Sequence, residues 1–273
     1  MYFISLALGL LAFVVLLLFN SKPAIQYHQK VVPTIYGITP TYARLAQKAD
    51  LTRLSQTLML VKKFHWIVIE DSENKTKLVE NLLKESTLKY THLNVKTKEI
   101  KGKGVEQRNL ALDWLRKYLK TPEGAPGVVY FMDDDNTYSL KVFEEIRKVK
   151  RVGVWPVGIV GGMRVERPLV TDGKVSGFSA LWKPYRPFAL DMAGFAINAS
   201  LFLDYPEAKF SWKIEAGFLE SEILKYFVTV KDLEPLADNC TKVYVWHTRT
   251  QNMTRLDINI LRHPPINDAD IEV

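Results

Sequence analysis

The chain has 273 residues, of which 47% are hydrophobic and 25% charged, a balance that is ordinary for a globular protein. The sequence shows no fixed-period repeat, which argues against a solenoid. Its formal net charge of +7 favours anionic partners such as phosphates, acidic sugars, nucleic acid or an anionic membrane. The basic residues are not interleaved with aromatic side chains, so we expect no nucleic-acid partner. The single cysteine, Cys240, excludes an intrachain disulfide and is most simply a small buried hydrophobic residue.

The N-terminus begins with an apolar run that ends near Phe19, and the first charged side chain is Lys22. A helix of this length spans ~27 Å at ~1.5 Å per residue, close to the ~30 Å core of a bilayer. A cleaved signal peptide is the alternative, but the run lacks a preceding basic residue and a good cleavage site. We therefore predict a signal-anchor transmembrane segment at residues 1–19 and a short stem at residues 20–32.

Four Asn-x-Ser/Thr triplets begin at Asn74, Asn198, Asn239 and Asn252. Each is a possible N-glycosylation site, although such triplets also arise by chance. The few basic residues near the apolar run leave the orientation open. The triplets are compatible with a lumenal body, which together with an N-terminal anchor gives a single-pass type II membrane protein.

The chain after the stem alternates between strand-type and helix-type patterns. Strands are predicted at residues 31–38, 65–69, 90–95 and 127–132, and helices at residues 41–61, 77–88, 105–119 and 140–149. This alternation predicts a mostly parallel sheet with helices on both faces, in which ligands bind outside the carboxyl ends of the strands. Asp71 and the triplet Asp133 to Asp135 each follow a strand end, so we expect them to face one crevice.

The pattern changes from Arg151 onward. Shorter strands are predicted at residues 152–160, 169–175, 177–181 and 242–247, with one helix at residues 216–227. Gly161-Gly162 and the proline-rich stretch 182–187 interrupt the chain. We therefore predict two halves, residues 33–150 and residues 151–273, which pack as one unit.

The acidic triplet is the strongest local signal of chemistry. Adjacent carboxylates repel one another, and a divalent cation offsets that cost. Oxygen ligands suit Mg²⁺ or Mn²⁺, and these ions also bind substrate phosphates. An acidic turn that caps the next helix is the simpler interpretation, and the residues by themselves leave both open.

A phosphate bound at such a site also needs donors and, for a reaction, a base. Arg108, His247 and Arg249 are candidate donors, although a lone histidine is more often structural. Glu220 is surrounded by apolar residues of the predicted helix 216–227, which would raise its carboxyl pKa and suit a general base. A surface glutamate is the simpler alternative, and the residues alone do not decide between the two.

A series of strings that runs in order from about residue 33 to 250 resembles the animal β-1,3-glucuronosyltransferases, inverting enzymes that add glucuronic acid to a terminal galactose. The strings are Thr39–Arg44, Leu51–Gln56, His65-Trp66, Glu70-Asp71, Gly104–Asn109, Asp133–Asn136, Pro187-Phe188, Asp191–Phe195, Gly217–Ser221, Asn239–Lys242 and Val245–Thr250. The resemblance implies a GT-A-like α/β fold with a parallel or mixed sheet. Residues 33–150 would form its UDP-sugar-binding half and residues 151–273 the acceptor-binding half of the same catalytic domain.

The resemblance also implies roles for individual residues. Those on the side of the UDP-glucuronate donor are Tyr42, Asp71, Arg108, Asp133, Asp134, Asp135, His247 and Arg249, with Asp135 the direct Mn²⁺ ligand. Those near the galactose acceptor and the donor sugar are Glu166, Trp182, Arg186 and Asp191. Glu220 matches the catalytic base. Lys103 stands where the family has an arginine, so a point charge replaces a bidentate fork there.

The implied reaction is a Mn²⁺-dependent single displacement in which Glu220 takes the proton of the galactose 3-hydroxyl. Two acceptors stay open: the galactose-galactose-xylose linker of proteoglycans, which we favour, and N-acetyllactosamine termini of glycoproteins. The family further implies a homodimer in the Golgi membrane with a lumenal catalytic domain. A non-catalytic lumenal glycan-binding protein and a soluble phosphate-handling enzyme are the alternatives from other classes.

Overall fold

The computed structural model describes residues 32–98 and 104–250. The predicted signal-anchor at residues 1–19, nearly all of the predicted stem, Lys103 and the triplet at Asn252 lie outside the described residues. Within the two described ranges, every helix is too short or too polar to cross a bilayer.

The described chain forms two sheets with helices packed around them. The strands are β1 (Thr34–Thr41), β2 (Phe64–Glu70), β3 (Lys89–Asn94), β4 (Gly127–Phe131), β5 (Thr137–Tyr138), β6 (Val152–Val154), β7 (Val157–Val160), β8 (Met163–Thr171), β9 (Lys174–Ser179), β10 (Phe195–Asn198), β11 (Glu234–Pro235) and β12 (Val245–Trp246). The helices are α1 (Gln47–Leu58), α2 (Lys77–Glu85), α3 (Val105–Tyr118), α4 (Leu140–Ile146), α5 (Leu201–Asp204), α6 (Leu219–Leu224) and α7 (Leu236–Cys240). Short 3-10 turns lie at Met192–Gly194 and Val230–Asp232.

The larger sheet has seven strands in the order β11-β6-β10-β4-β1-β2-β3. Strands β4, β1, β2 and β3 are parallel, whereas β10 runs antiparallel to both β4 and β6. The smaller sheet has five strands in the order β5-β12-β7-β8-β9. The predicted α/β class is therefore confirmed, with a sheet that is mixed rather than purely parallel.

The core lies on both faces of the larger sheet, because side chains alternate along each strand. In β2, Ile67 and Ile69 join the cluster that contains the buried face of α3, while Trp66 and Val68 join the cluster that contains α1, α2 and α4. All four side chains are fully buried. Burial of one such side chain stabilises the fold by roughly 1.5–3 kcal/mol. Because both faces of β2 are buried, these four consecutive residues are all apolar instead of alternating with polar ones.

Four predicted elements after residue 150 are wrong. The strand expected at residues 152–160 is two strands in different sheets, because Pro156 lies between them and has no N–H to donate to a ladder. The strands expected at 169–175 and 177–181 belong to one hairpin, β8–β9, which turns at Asp172-Gly173 with positive φ at both residues. The helix expected at residues 216–227 is only α6.

Strand β10 was not predicted from the sequence, and it lies between β4 and β6. Segments from beyond residue 150 thus complete the sheet that the first half of the chain begins. The division of the chain into two halves near residue 150 stays a prediction.

The short helix α7 has an unusual backbone. Ala237 to Cys240 all have φ between 51° and 59°, the left-handed region that costs ~1–2 kcal/mol per non-glycine residue. The Cys240 thiol is buried against the carbonyl oxygen of Val154 at 3.5 Å, and burial raises its pKa to about 12. Cys240 is therefore a neutral buried thiol, as expected from the sequence.

Candidate active site

The carboxyl ends of β4, β1, β2 and β3 lie side by side along one edge of the larger sheet. Neighbouring strands are ~4.8 Å apart, so the polar groups that follow these four strands form a row about 14 Å long. A cavity of about 350 Å³ opens on this row, and we call it the strand-edge cavity. It is lined by Pro40, Thr41, Tyr42, Asp71, Gly104, Gln107, Arg108, Asp133, Asp134 and Asp135. The prediction that Asp71 and the triplet face one crevice is therefore confirmed.

Asp133 is held by Arg108 from the first turns of α3. The Arg108 Nη2 atom donates to an Asp133 carboxylate oxygen at 2.9 Å. Gly104, which precedes α3, has φ +75°, and a side chain there would collide with the Arg108 guanidinium. The Arg108 Nε atom is buried and has no hydrogen-bond partner among the described residues.

Asp134 is the most enclosed member of the triplet. Its carboxylate accepts hydrogen bonds from Thr41 Oγ1 at 2.6 Å and from Arg44 at 2.9 Å, and Arg44 also pairs with the buried Asp50 at 2.8 Å. Burial raises the pKa of Asp134, while Arg44 opposes that rise. Arg44 thus neutralises two buried carboxylates, a role that the sequence did not suggest although the residue lies in a matching string.

The carboxylate of Asp135, unlike those of the other two triplet members, makes no hydrogen bond or ion pair with another side chain within residues 32–98 and 104–250. Only its backbone oxygen is engaged by side chains, by Thr248 Oγ1 at 2.6 Å and Arg53 Nη2 at 3.1 Å. Burial raises the pKa of the Asp135 carboxyl, and the charges of Asp134 and Asp133 raise it further. A bound cation would relieve this repulsion.

The donor set fits a cation that shares its ligands with a substrate. In the described part of the chain, no three His, Cys, Asp or Glu side chains are arranged to hold a metal ion. Mg²⁺ and Mn²⁺ are commonly bound by one or two carboxylates together with waters and substrate phosphates. Asp135 is therefore the residue that could hold such an ion, with phosphate oxygens completing the shell.

The far end of the row is formed by groups beyond β2 and β3. Both carboxylate oxygens of Asp71 accept hydrogen bonds from Thr97, from its backbone N–H at 2.8 Å and from its hydroxyl at 2.6 Å. Tyr42 is 55% exposed at the wall of the cavity, with the Arg44 guanidinium 4.7 Å from its ring centroid. An exposed aromatic face beside fixed polar groups suits a planar base.

A second cavity, of about 390 Å³, brings together residues from four separate segments, and we call it the Glu220 cavity. It is lined by Val160, Gly161, Gly162, Glu166, Trp182, Arg186, Leu190, Asp191, Gly217, Glu220, His247 and Arg249. The structure thus assembles every residue that the sequence assigned to the acceptor region, together with the predicted base and two predicted phosphate donors.

Glu166 and Arg186 form a buried ion pair at 3.2 Å in this cavity. Arg186 also donates to the backbone oxygens of Leu190 and Gly217, which fixes its orientation. Burial raises the pKa of Glu166 to about 7, and Arg186 only partly offsets that rise. The Glu166 Oε1 atom has no partner among the described residues, so it can accept a hydrogen bond from a ligand hydroxyl.

Glu220, the first acidic residue of α6, has a strongly desolvated carboxyl. Burial raises its pKa to about 8, and its Oε2 atom has no partner in the described part of the chain. Arg186 and, from the other cavity, Arg108 act in the opposite direction. A carboxyl whose pKa lies near neutrality and that faces a cavity can take a proton from a substrate hydroxyl.

His247 and Arg249 follow β12 and place positive charge in the same cavity. His247 Nδ1 lies 3.1 Å from the Asp191 carboxylate, and this contact is the main cause of the raised pKa of His247. Arg249 Nε lies 3.2 Å from His247 Nε2. Thr248, between His247 and Arg249, donates to the backbone oxygen of Asp135 at 2.6 Å, so the two cavities adjoin. The Asp133 charge also raises the pKa of His247.

The three described Asn-x-Ser/Thr triplets differ in how free their asparagine side chains are. Asn74, before α2, and Asn239, in α7, are exposed. Asn198 is less accessible, since its Nδ2 donates to the Lys150 backbone oxygen at 2.9 Å and its Oδ1 accepts from Ser200. Glycosylation at these positions stays a prediction.

Carboxylates at the edge of a mixed sheet, beside a cavity with a desolvated carboxyl and two cations, are an arrangement that a glycosyltransferase can use. The chain belongs to glycosyltransferase family 43, whose family model matches residues 54–251. The resemblance to the β-1,3-glucuronosyltransferases and the expectation of a glycosyltransferase are thereby confirmed.

Curated relatives support the same family. The chain is 52% identical over 248 residues to human galactosylgalactosylxylosylprotein 3-beta-glucuronosyltransferase 3. The match covers 84% of this chain and 74% of the relative. It is also 52% identical over 261 residues to the Drosophila melanogaster galactosylgalactosylxylosylprotein 3-beta-glucuronosyltransferase I. That match covers 89% of this chain and 84% of the Drosophila protein.

A solved structure shares the fold at low sequence identity. The Staphylococcus aureus protein TarS, residues 1-349 in complex with UDP-GlcNAc, superimposes with a TM-score of 0.54 at 17% identity. The match covers 80% of this chain and 59% of that one. At this identity the likeness extends to the fold alone.

Proposed function

We propose that the protein transfers glucuronic acid from UDP-glucuronate to the 3-hydroxyl of the terminal galactose in the galactose-galactose-xylose linker of proteoglycans. The observation that carries the proposal is the desolvated Glu220 carboxyl, which faces a cavity next to the strand-edge carboxylates and whose Oε2 atom has no partner in the described part of the chain. The relatives at 52% identity, which are named for this substrate, support the choice of acceptor.

The donor nucleotide lies along the strand edge in this proposal. Its uracil packs on Tyr42 near Asp71, and its diphosphate reaches Arg108 and Asp135 at the other end of the row. His247 and Arg249 add positive charge from the adjoining cavity. The net charge of +7 suits this donor, which carries a diphosphate and a carboxylate.

The acceptor galactose lies in the Glu220 cavity. Trp182 is 51% exposed there and offers an apolar face for a sugar ring. Gly217 makes room for it, since a β-carbon at Gly217 would lie 2.7 Å from the Trp182 Nε1 atom. Glu166, Arg186 and Asp191 supply polar groups that orient the sugar hydroxyls.

The chemistry follows from the charges of the two cavities. Glu220 takes the proton from the attacking 3-hydroxyl, and a base positioned in this way contributes on the order of 10²–10⁴-fold. His247 and Arg249 stabilise the negative charge that develops on the departing diphosphate. One in-line displacement inverts the anomeric centre, so an α-linked donor gives a β-linked product.

Mn²⁺ is part of the proposal, and Asp135 with the diphosphate oxygens would hold it. When bound, the ion would supply Lewis-acid stabilisation of the leaving diphosphate. Asp133 and Asp134 are already paired with Arg108 and Arg44, so neither is the metal ligand in this proposal.

We also propose that residues 1–19 anchor the protein in the Golgi membrane as a single-pass type II protein, with a lumenal catalytic domain and a homodimeric assembly. The proposal rests on the apolar N-terminal run and the family resemblance. Membrane fractionation combined with endoglycosidase treatment tests the topology, because a soluble protein without a glycan shift would contradict it. Light scattering of the full chain in detergent tests the dimer.

The decisive experiment assays the full chain in detergent with UDP-glucuronate and Mn²⁺ on two acceptors, a galactose-galactose-xylose trisaccharide and N-acetyllactosamine. We expect a β-1,3-linked glucuronic acid on the trisaccharide with much higher kcat/KM. Turnover of N-acetyllactosamine alone would refute the acceptor. Calorimetric binding of UDP without turnover of either sugar would instead favour a non-catalytic glycan-binding protein.

A further inference from the structure

Gln107 is a polar residue of the strand-edge cavity for which neither the sequence nor the reaction supplies a role. It is the third residue of α3, and its side chain is only 1% exposed although it lines the cavity. A nearly buried amide in a ligand cavity needs partners for both of its polar atoms.

The hydrogen bonds of Gln107 fix which way its amide faces. Its Nε2 atom donates to the backbone oxygen of Val95 at 3.0 Å and to Thr97 Oγ1 at 3.0 Å. The Val95 carbonyl can only accept, so the nitrogen must face it and both amide protons are used. Thr97 Oγ1 in turn donates to Asp71 at 2.6 Å, which completes a directional chain from Gln107 to Asp71.

The other polar atom of the amide is left without a donor. Gln107 Oε1 is buried and has no hydrogen-bond partner among residues 32–98 and 104–250. An unsatisfied buried acceptor costs about 1–3 kcal/mol, so proteins rarely keep one without a ligand or water to pair with it. An N–H or O–H group of a ligand in the cavity would satisfy this atom.

The position of Gln107 along the row indicates which part of a nucleotide it meets. Gln107 and Arg108 are consecutive in α3 but face different ends of the row. Arg108 reaches Asp133 beyond β4, whereas Gln107 reaches Val95 and Thr97 after β3. Thr97 in turn contacts Asp71 beyond β2, so the two ends lie two to three strands apart. At ~4.8 Å per strand, this separation is comparable to the length of a nucleoside diphosphate, with the nucleoside at the Gln107 end.

We infer that Gln107 is a specificity-determining residue whose Oε1 atom accepts a hydrogen bond from the uridine part of the donor, either the base N3–H or a ribose hydroxyl. The inference rests on the proposed use of a uridine diphosphate donor. Asp71 is a second acceptor at the same end of the cavity, so this end is built for a ligand that presents hydrogen-bond donors.

The test compares wild type and Gln107→Met, which keeps the length of the side chain but removes both polar atoms. Calorimetry gives the Kd of UDP, N3-methyl-UDP, 2′-deoxy-UDP and 3′-deoxy-UDP for each protein. We expect Gln107→Met to weaken UDP about tenfold, as loss of ~1.4 kcal/mol predicts. For the one analogue that lacks the partner of Oε1, the same substitution should weaken binding by a clearly smaller factor, the part that comes from the lost Nε2 bond to Thr97.

The identity of the least affected analogue distinguishes the base from the ribose as the source of the donor. If Gln107→Met weakens all four nucleotides by one factor, or none of them, Gln107 has a structural role and the inference is wrong. Gln56→Met is the matched control, because Gln56 is exposed on α1, and it should leave all four Kd values unchanged.

Two further variants separate the acceptor from the chain that orients Asp71. Thr97→Val breaks that chain but retains Oε1, so it should weaken all four nucleotides by a similar factor. Should Gln107→Met fail to fold, Gln107→Glu keeps an acceptor oxygen without the amide protons and should retain the preference for UDP over the critical analogue. Loss of that preference in a folded Gln107→Glu protein would contradict the inference.

The inference and the proposed function fail in different ways. If wild type does not bind UDP at all, the proposed donor is wrong. If wild type binds UDP and transfers glucuronic acid but the nucleotide profile of Gln107→Met is uniform, only the role of Gln107 is wrong.

Discussion

The two adjoining cavities both contain carboxyl groups, but they differ in how far cations compensate for the burial of these groups. In the strand-edge cavity Asp133 is paired with Arg108, and Asp134 with Arg44. In the Glu220 cavity burial dominates, and the pKa values of Glu166 and Glu220 rise to about 7 and about 8. Arg186 offsets the burial of Glu166 only in part, and Glu220, the carboxyl that must exchange a proton, has no ion-pair partner among the described residues.

The largest expected effect is at the desolvated carboxyl. Glu220→Gln removes the proton acceptor, so we expect kcat to fall by on the order of 10²–10⁴-fold while the Kd of UDP is unchanged. Steady-state kinetics and calorimetry measure the two quantities. Glu222→Gln is the control, because Glu222 pairs with Lys225 on the same helix, and it should keep wild-type turnover.

The pH profile gives an independent check of the same residue. Only the ionised carboxylate accepts a proton, so kcat/KM of wild type should rise with pH until about 8 and then level off. Near wild-type turnover in Glu220→Gln, or a rate that falls across this range, would show that the base is another group.

The next effect is on stability and concerns the paired carboxylates. Arg44→Met leaves the buried Asp134 without a cation and Asp50 with only the exposed Arg53, so we expect a loss of about 3–5 kcal/mol in the free energy of unfolding. Urea denaturation measures it. Lys84→Met breaks an exposed helix pair with Glu80 and should unfold at the wild-type urea concentration. Equal midpoints for both variants would mean that Arg44 does not compensate buried charge.

A smaller effect is expected at the unpaired carboxylate of the triplet. Asp135→Asn removes the charge that would hold Mn²⁺, so the tightening of UDP binding by Mn²⁺ should be lost, by about tenfold. Calorimetry with and without EDTA measures this. Asp113→Asn, at an exposed residue of α3, should keep the metal effect. A wild-type Mn²⁺ response in Asp135→Asn would place the ion elsewhere.

The smallest effect is on the pH dependence of stability. The raised pKa values mean that folded Glu166 and Glu220 hold protons that the unfolded chain releases above its ordinary pKa of ~4.3. The folded state therefore binds more protons between about pH 4.5 and 8, and stability falls as pH rises through this window.

Glutamine at either position should flatten this fall, since an amide does not titrate. We expect Tm of Glu166→Gln and Glu220→Gln to decline by a few degrees less than that of wild type between about pH 5 and 8. Scanning calorimetry across this range measures it, with Glu222→Gln as the control. Parallel curves for all four proteins would mean that neither carboxyl is desolvated.

Local features that depend on neighbouring residues were predictable. The periodicity of the first half predicted β2, α3 and β4, because burial on both faces of a sheet leaves an apolar run in the sequence. The strand ends then predicted that Asp71 and the acidic triplet share a crevice. The apolar neighbours of Glu220 predicted a raised carboxyl pKa, and the structure agrees in direction, whereas its role as the base came from the family resemblance.

Features that depend on distant residues were not predictable. Strand β10 lies antiparallel between β4 and β6 in the larger sheet. Its four residues are too few for a hydrophobic pattern that would predict a strand. The division of residues 152–160 between two sheets was also not predicted, although Pro156 indicates an interruption of the strand. The buried Arg44 and Gln107 resembled ordinary surface residues of helical segments.

The sequence by itself determined the family, the sheet edge and the identity of the charged groups, because these are written in local strings and in hydrophobic periodicity. The tertiary structure decided which charges are paired and which are not. Arg44 meets Asp134 across 90 residues, and Gln107 loses a partner for Oε1 only because α3 packs it against Val95 and Thr97. Desolvation and pairing are properties of the packed interior, and no local pattern in the chain records them.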